Sequence, residues 1–200
     1  SSVEDLMYAA EHPDKNYILT QDIDLTAQKD WEGIGTQEVP FSGVFDGAGH
    51  TITIDMDKVE SEQAIHYVGL FGCVSGTVAN LNVDGTLDAD IYAGFIGPVA
   101  ASLCGGTVLN CTSDVDVTAG DSEGASHVGG VVGGISLSKG NPSGTVQNCT
   151  NNGSIHVTSR DSGSLVQMGS EDLEKGTNGG IGGIVGFVSA HSKAEISYCI

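Results

Sequence analysis

Positive charge is the scarcest feature of this chain. Seven Lys and Arg stand against 26 Asp and Glu in 200 residues, a formal net charge of -19. That balance excludes an electrostatic partnership with nucleic acid or with an anionic membrane surface. Proline is rare, at four residues, which excludes collagen-like and proline-rich linker architectures. There is one Trp, and aromatic residues make up 6% of the chain, fewer than a carbohydrate-gripping groove usually displays. No segment approaches the roughly 20 consecutive apolar residues of a membrane-spanning helix. No signal peptide is evident and the chain starts with Ser, so the expectation is a piece of a longer mature protein.

Glycine is abundant instead, with 30 residues, alongside many Val, Thr and Ser, a composition that favours strands separated by tight corners. Four times a pair of apolar residues lies between two glycines: Gly69-Leu70-Phe71-Gly72, Gly94-Phe95-Ile96-Gly97, Gly130-Val131-Val132-Gly133 and Gly183-Ile184-Val185-Gly186. A strand-like segment follows each, and these align as Thr77-Val78-Ala79-Asn80-Leu81, Thr107-Val108-Leu109-Asn110-Cys111, Thr145-Val146-Gln147-Asn148-Cys149 and Glu195-Ile196-Ser197-Tyr198-Cys199. Second short strands are predicted over 83–87, 115–117 and 155–157. A fixed unit at unequal spacing predicts a solenoid whose coils carry loops of variable length.

Stacked coils would place equivalent residues in ladders. Val78, Val108, Val146 and Ile196 form one expected inward ladder, and Leu81, Cys111, Cys149 and Cys199 a second. Phe71, Ile96, Val132 and Val185 form the third. Three of the five cysteines thus read as small buried hydrophobes, with a Cys111–Cys149 disulfide between neighbouring coils as the alternative. Zinc-type spacings such as C-x₂-C are absent. Asn80, Asn110 and Asn148 share one position and are expected to hydrogen-bond from coil to coil. His66 and His127 precede equivalent glycine units and read as surface positions of the repeat.

The N-terminus predicts a short helix over 2–11, with Ser2 as its cap, Glu4 and Asp5 in the first turn, and Val3, Leu6, Met7 and Ala10 as an apolar stripe. The organisation expected is a helical cap over 1–16, entry coils over 17–65 beginning with a strand over 17–25, and repeat coils over 66–200. The chain would end within its own solenoid. Acid pairs spaced i, i+2 place both carboxylates on one side of a strand. They are Asp22/Asp24, Asp55/Asp57, Asp88/Asp90 and Asp114/Asp116. A structural calcium ion held by Asp22, Asp24, Asp88, Asp90, Asp114 or Asp116 is the one cofactor these pairs suggest, although none fits an EF-hand or a calcium-binding nonapeptide. Contact residues are sought in the insertions 119–126, 136–143 and 159–178, through Asp121, Glu123, Asn141, Arg160, Glu171 and Asp172, because loops on one side of a solenoid usually carry specificity.

The glycine-bracketed units and their following strands resemble the GLUG repeat of bacterial surface and secreted proteins. So does the segment Asp22-Ile23-Asp24-Leu25, Trp31 to Gly35, Phe41 to Gly43 and Phe45 to Ile52, which is similar to the entry region before such repeats. The resemblance spans about 17–200. It implies an all-β, right-handed parallel β-helix with a short N-terminal helix, in an extracellular or cell-surface setting, with a host glycan or protein as partner. Such repeats occur in adhesins and beside the catalytic domain of IgA-cleaving metalloproteases, so an accessory domain of a larger secreted metalloprotease is the alternative reading. Within this chain no catalytic residue is expected: H-E-x-x-H and the phosphate-cradling glycine loop are both missing. A polysaccharide-cleaving activity through paired carboxylates is a weaker alternative. An ice-binding face would need regular Thr-x-Thr arrays, of which the sequence offers only Thr51/Thr53.

Overall fold

A computed structural model describes residues 1–121, 126–135, 143–159, 181–189 and 193–200, without the side chains of 59–64, 92–93, 121 and 158–159. Its one described helix, Val3–Glu11, begins where Ser2 accepts a hydrogen bond from the Asp5 N–H at 3.2 Å. Pro13 follows two residues after the helix ends, where it can no longer obstruct the backbone ladder. The buried side of the helix is Leu6 and Ala9, with Val3 and Ala10 packed partly against the core. Met7, expected in that stripe, is 41% exposed.

The rest of the described chain is largely strand, and all registered strand pairs are parallel. Three sheets result. The first contains Tyr17–Ile18, Val44–Asp46, Thr77–Ala79, Thr107–Leu109, Ser143–Gln147 and Lys193–Ser197, side by side in chain order. The second is built on the long strands Thr51–Val68, Asn82–Ile96 and Thr112–Asp121, and the third on Phe71–Val74, Ala100–Leu103, Val132–Ile135 and Val185–Val188. The chain visits them in rotation: from Thr77–Ala79 in the first, through Asn82–Ile96 in the second and Ala100–Leu103 in the third, back to Thr107–Leu109 in the first.

The register of the first sheet matches the alignment of the repeats. Val78 pairs with Phe45 and Val108, Val108 with Val146, and Val146 with Ile196. Burial alternates along Thr107–Leu109 and Ser143–Gln147, whose inward valines join one continuous core that runs from Leu6 to Cys149. The turns that leave this sheet hold Asn80, Asn110 and Asn148 at φ of 53°, 53° and 52°. Asn tolerates this left-handed backbone better than most residues because its short amide can bond locally. Here the amide bonds along the stack instead. Asn80 donates to Asp46 at 3.0 Å, Asn110 to Asn80 at 3.1 Å and Asn148 to Asn110 at 3.1 Å, as the shared repeat position predicts.

The third sheet corrects the expected repeat. Phe71 pairs with Ala100, Ala100 with Val132 and Val132 with Val185. Ile96 lies instead between Val68 and Val128 in the second sheet. The bracket Gly94-Phe95-Ile96-Gly97 is therefore not equivalent to the other three; Pro98-Val99-Ala100-Ala101 takes that place. The error is a slip of four residues, and it arose because small side chains other than glycine serve at Ala101. His66 and His127 are also one step out of register: His127 pairs with Phe95, which pairs with Tyr67. Gly129-Gly130 supplies one more residue than the single Gly69 of the first unit.

Two further expectations change. The strand over 17–25 is two short strands, Tyr17–Ile18 and Ile23–Asp24, in different sheets. Its corner is tied down by the Thr20 N–H donating to the Ser1 hydroxyl at 2.9 Å. The short strand at 51–54 extends to Val68, and that at 83–87 extends to Ile96. Hydrophobic alternation underestimates both, since their outward residues are acids and their cross-strand bonds are backbone bonds. Cys111 and Cys149 are both free thiols. The disulfide joins Cys73 to Cys104. It escaped notice because the four-residue slip set these two cysteines far apart in the alignment.

Candidate functional site

The outward surface of the second sheet collects most of the acids singled out from sequence. Strict parallel register turns alternate residues into columns. One column runs Asp24, Thr53, Asp84, Asp114; the next runs Asp55, Thr86, Asp116; the third runs Asp57, Asp88, Thr118, His156. The inward residues between them, among them Ile54, Met56, Leu87, Val115 and Val117, are buried and fix the strands so that these side chains face solvent. The i, i+2 carboxylates of 55/57, 88/90 and 114/116 therefore do share a face.

Chemistry along the columns is that of acids matched to donors. Asp55 accepts from the Thr86 hydroxyl at 3.0 Å and pairs with the Lys29 ammonium at 2.9 Å. Asp116 accepts from the Ser154 N–H at 2.9 Å and its hydroxyl at 2.7 Å, and Asp114 accepts from the Asn152 amide at 2.7 Å. At the margin Asp22 takes the Thr51 N–H at 2.9 Å and the His50 ring at 3.1 Å, while Asp24 takes the N–H and hydroxyl of Thr26. Hydrogen bonds from Thr51, Thr26, Lys29 and Ser154 hold Asp22, Asp24, Asp55 and Asp116 respectively below the usual carboxylate range. A general acid needs the opposite shift.

Lys29, Asp55, Asp57, Thr86, Asp88 and Asp116 border a shallow depression of about 270 Å³ on this face. Lys29, Asp84 and Thr86 were missed from sequence. Only the register brings Thr86 between Asp55 and Asp116, and Lys29 comes from the entry segment. The calcium candidates do not converge: among the described residues no three His, Cys, Asp or Glu side chains form a group that could hold a metal ion. Asp22 and Asp24 sit at one margin, Asp88 and Asp90 midway along a strand, and Asp114 and Asp116 one strand further on.

A second outward feature is a stack of rings at the corner between the second and third sheets. Tyr67 and Phe95 lie 5.6 Å apart at 16°, Phe95 and His127 5.0 Å apart, and His127 and Phe187 4.2 Å apart at 21°. The rings stack on one another, so their faces are spent within the column. Burial there pushes the His127 imidazole down to about 4, leaving it neutral at pH 7.

Of the loop candidates, Asp121 lies at the end of the strand Thr112–Asp121 rather than in a loop, as far as its backbone is concerned. Glu123, Asn141, Arg160, Glu171 and Asp172 lie outside the described residues, as do 122–125, 136–142 and 160–178 of these insertions. No helix among the described residues is long and apolar enough to cross a membrane. Compared with known proteins, the chain matches no protein-family model, no curated protein and no solved structure.

Proposed function

We propose that the three parallel sheets are the faces of one right-handed parallel β-helix, and that the chain is a non-catalytic module of a bacterial cell-surface or secreted protein, serving as an adhesin-like binding surface or a stalk. The observation that carries this is the parallel register repeated from one circuit of the chain to the next, which sets the aspartates and threonines of the outer face in columns. Such a surface is acidic, and the hydrogen bonds to Asp24, Asp55 and Asp116 hold those carboxylates ionised, which suits display or spacing better than proton transfer. The Cys73–Cys104 disulfide supports an oxidising, extracellular compartment. The resemblance to GLUG repeats points the same way. A host glycan or protein with donor-rich or basic groups is the partner that the aspartate and threonine columns would complement.

The test is a glycan and extracellular-protein array probed with the chain and with D84N/D88N/D114N, together with an assay for polysaccharide cleavage with added Ca²⁺. Binding by the parent that the triple variant loses supports the binding surface. No binding above background supports the stalk. New reducing ends or unsaturated products overturn the non-catalytic reading.

A further inference from the structure

We propose that Cys149 and Cys199 form an oxidation-sensitive pair, closed to a disulfide by reaction with a small-molecule disulfide of the glutathione type. Three free thiols, Cys111, Cys149 and Cys199, occupy one ladder position on successive strands. The pairing of Thr112 with Thr150 sets Cys111 beside Cys149, and that of Gln147 with Ser197 sets Cys149 beside Cys199. Neighbouring parallel strands lie about 4.8 Å apart, inside the Cα separation of roughly 4.4–6.8 Å that a disulfide spans. Cys149 and Cys199 point the same way. Each thiol donates to a carbonyl of the preceding strand at 3.7 Å, Cys149 to Val108 and Cys199 to Val146.

Access decides which pair reacts. Cys111 and Cys149 are buried, whereas Cys199 is only half-buried. In this 200-residue chain a reagent therefore meets Cys199 first. Its thiolate attacks one sulfur of the small disulfide, forming a mixed disulfide and releasing one thiol. The Cys149 thiolate then attacks the Cys199 sulfur, the protein disulfide forms, and a second small thiol leaves. Two protein thiols are oxidised and one small disulfide is reduced to two thiols, with the two protons passing to them. Cys149 suits the second step: in the reduced protein its thiol is brought down to about 7, foremost by the Cys111 S–H, and Cys111 still offers that donor once Cys199 carries the mixed disulfide. The bond would staple Lys193–Ser197 to Ser143–Gln147, closing a long loop and so favouring the folded state.

The experiment treats the purified chain with excess oxidised glutathione, quenches with acid, alkylates, and maps the disulfide-linked peptides by mass spectrometry. The expected result is a Cys149–Cys199 cross-linked peptide, with Cys111 alkylated and Cys73–Cys104 retained. C149S should stop at a stable glutathione adduct on Cys199, and C111S should still give the Cys149–Cys199 cross-link, though more slowly, because the Cys149 thiolate loses the Cys111 donor. Circular dichroism checks that each variant is folded; if C149S is not, the peptide map of the parent decides alone. A persistent adduct on Cys199 in the parent, an unreactive Cys199, or a cross-link that includes Cys111 would overturn the proposal.

Discussion

Replacing Asn110 with alanine isolates what holds the turns of the stack. Asn110 sits at φ 53°, donates its amide to Asn80 and accepts from Asn148, both at 3.1 Å. Alanine keeps neither bond and must still adopt the left-handed backbone. That conformation costs an ordinary L-residue about 1–2 kcal/mol. The two amide bonds are exposed, so each contributes at the low end, about 0.5 kcal/mol. Asn110→Ala should therefore destabilise by about 2 kcal/mol, a fall in midpoint of roughly 4–8 °C for a chain of this size. Asn110→Gly loses the same two bonds but meets no steric penalty, so its cost should be about half as large, partly from the greater freedom of the unfolded chain. Thermal and urea unfolding followed by circular dichroism, on both variants side by side, reads the difference. If glycine proves as damaging as alanine, the left-handed turn is not the source of the cost. If alanine is silent, the amide ladder contributes nothing and the reasoning fails.

Three other outcomes follow from the same geometry. His127 has a folded-state value of about 4, below the ordinary value of about 6.5, so its contribution is fully present above pH 6.5 and is lost as pH falls towards 4, up to about 3 kcal/mol; urea unfolding at pH 7.5 and 4.5 should show that loss in the parent and a smaller one in His127→Phe, and equal losses would refute it. Gly85 lies inside a strand at φ +120°, where a Cβ would strike the Ile54 carbonyl oxygen; Gly85→Ala should cost about 2 kcal/mol or more in the same assay. Reducing Cys73–Cys104, whose residues are 31 apart in sequence, should lower stability by about 3.5 kcal/mol on the loop-entropy estimate, seen as a lower urea midpoint with dithiothreitol present.

The first sheet was readable because its repeat has three independent marks: a β-branched residue buried at Val78, Val108 and Val146, an amide at the turn, and a Leu or Cys after it. The third sheet was misread where those marks thin out. Glycine brackets are a weak ruler, since Gly94 and Gly97 frame Phe95-Ile96 by coincidence while Ala101 fills a place that glycine takes elsewhere. The acid pairs announced an outward face, but their partners could not be read from spacing. Thr86 meets Asp55 from 31 residues away, and Asn152 meets Asp114 from 38. The same distance blindness hid Lys29, and it hid the Cys73–Cys104 bridge, whose register depends on the slipped unit.

The central claim is the parallel register through successive circuits, and solution NMR tests it most directly. Cross-strand nuclear Overhauser contacts should link Val78 to Val108 and Val108 to Val146, and Phe71 to Ala100 and Ala100 to Val132, with the backbone pattern of parallel pairs. Strong contacts between facing Hα protons of sequence-adjacent strands, the mark of antiparallel hairpins, or a Phe71 to Ile96 register would contradict the account.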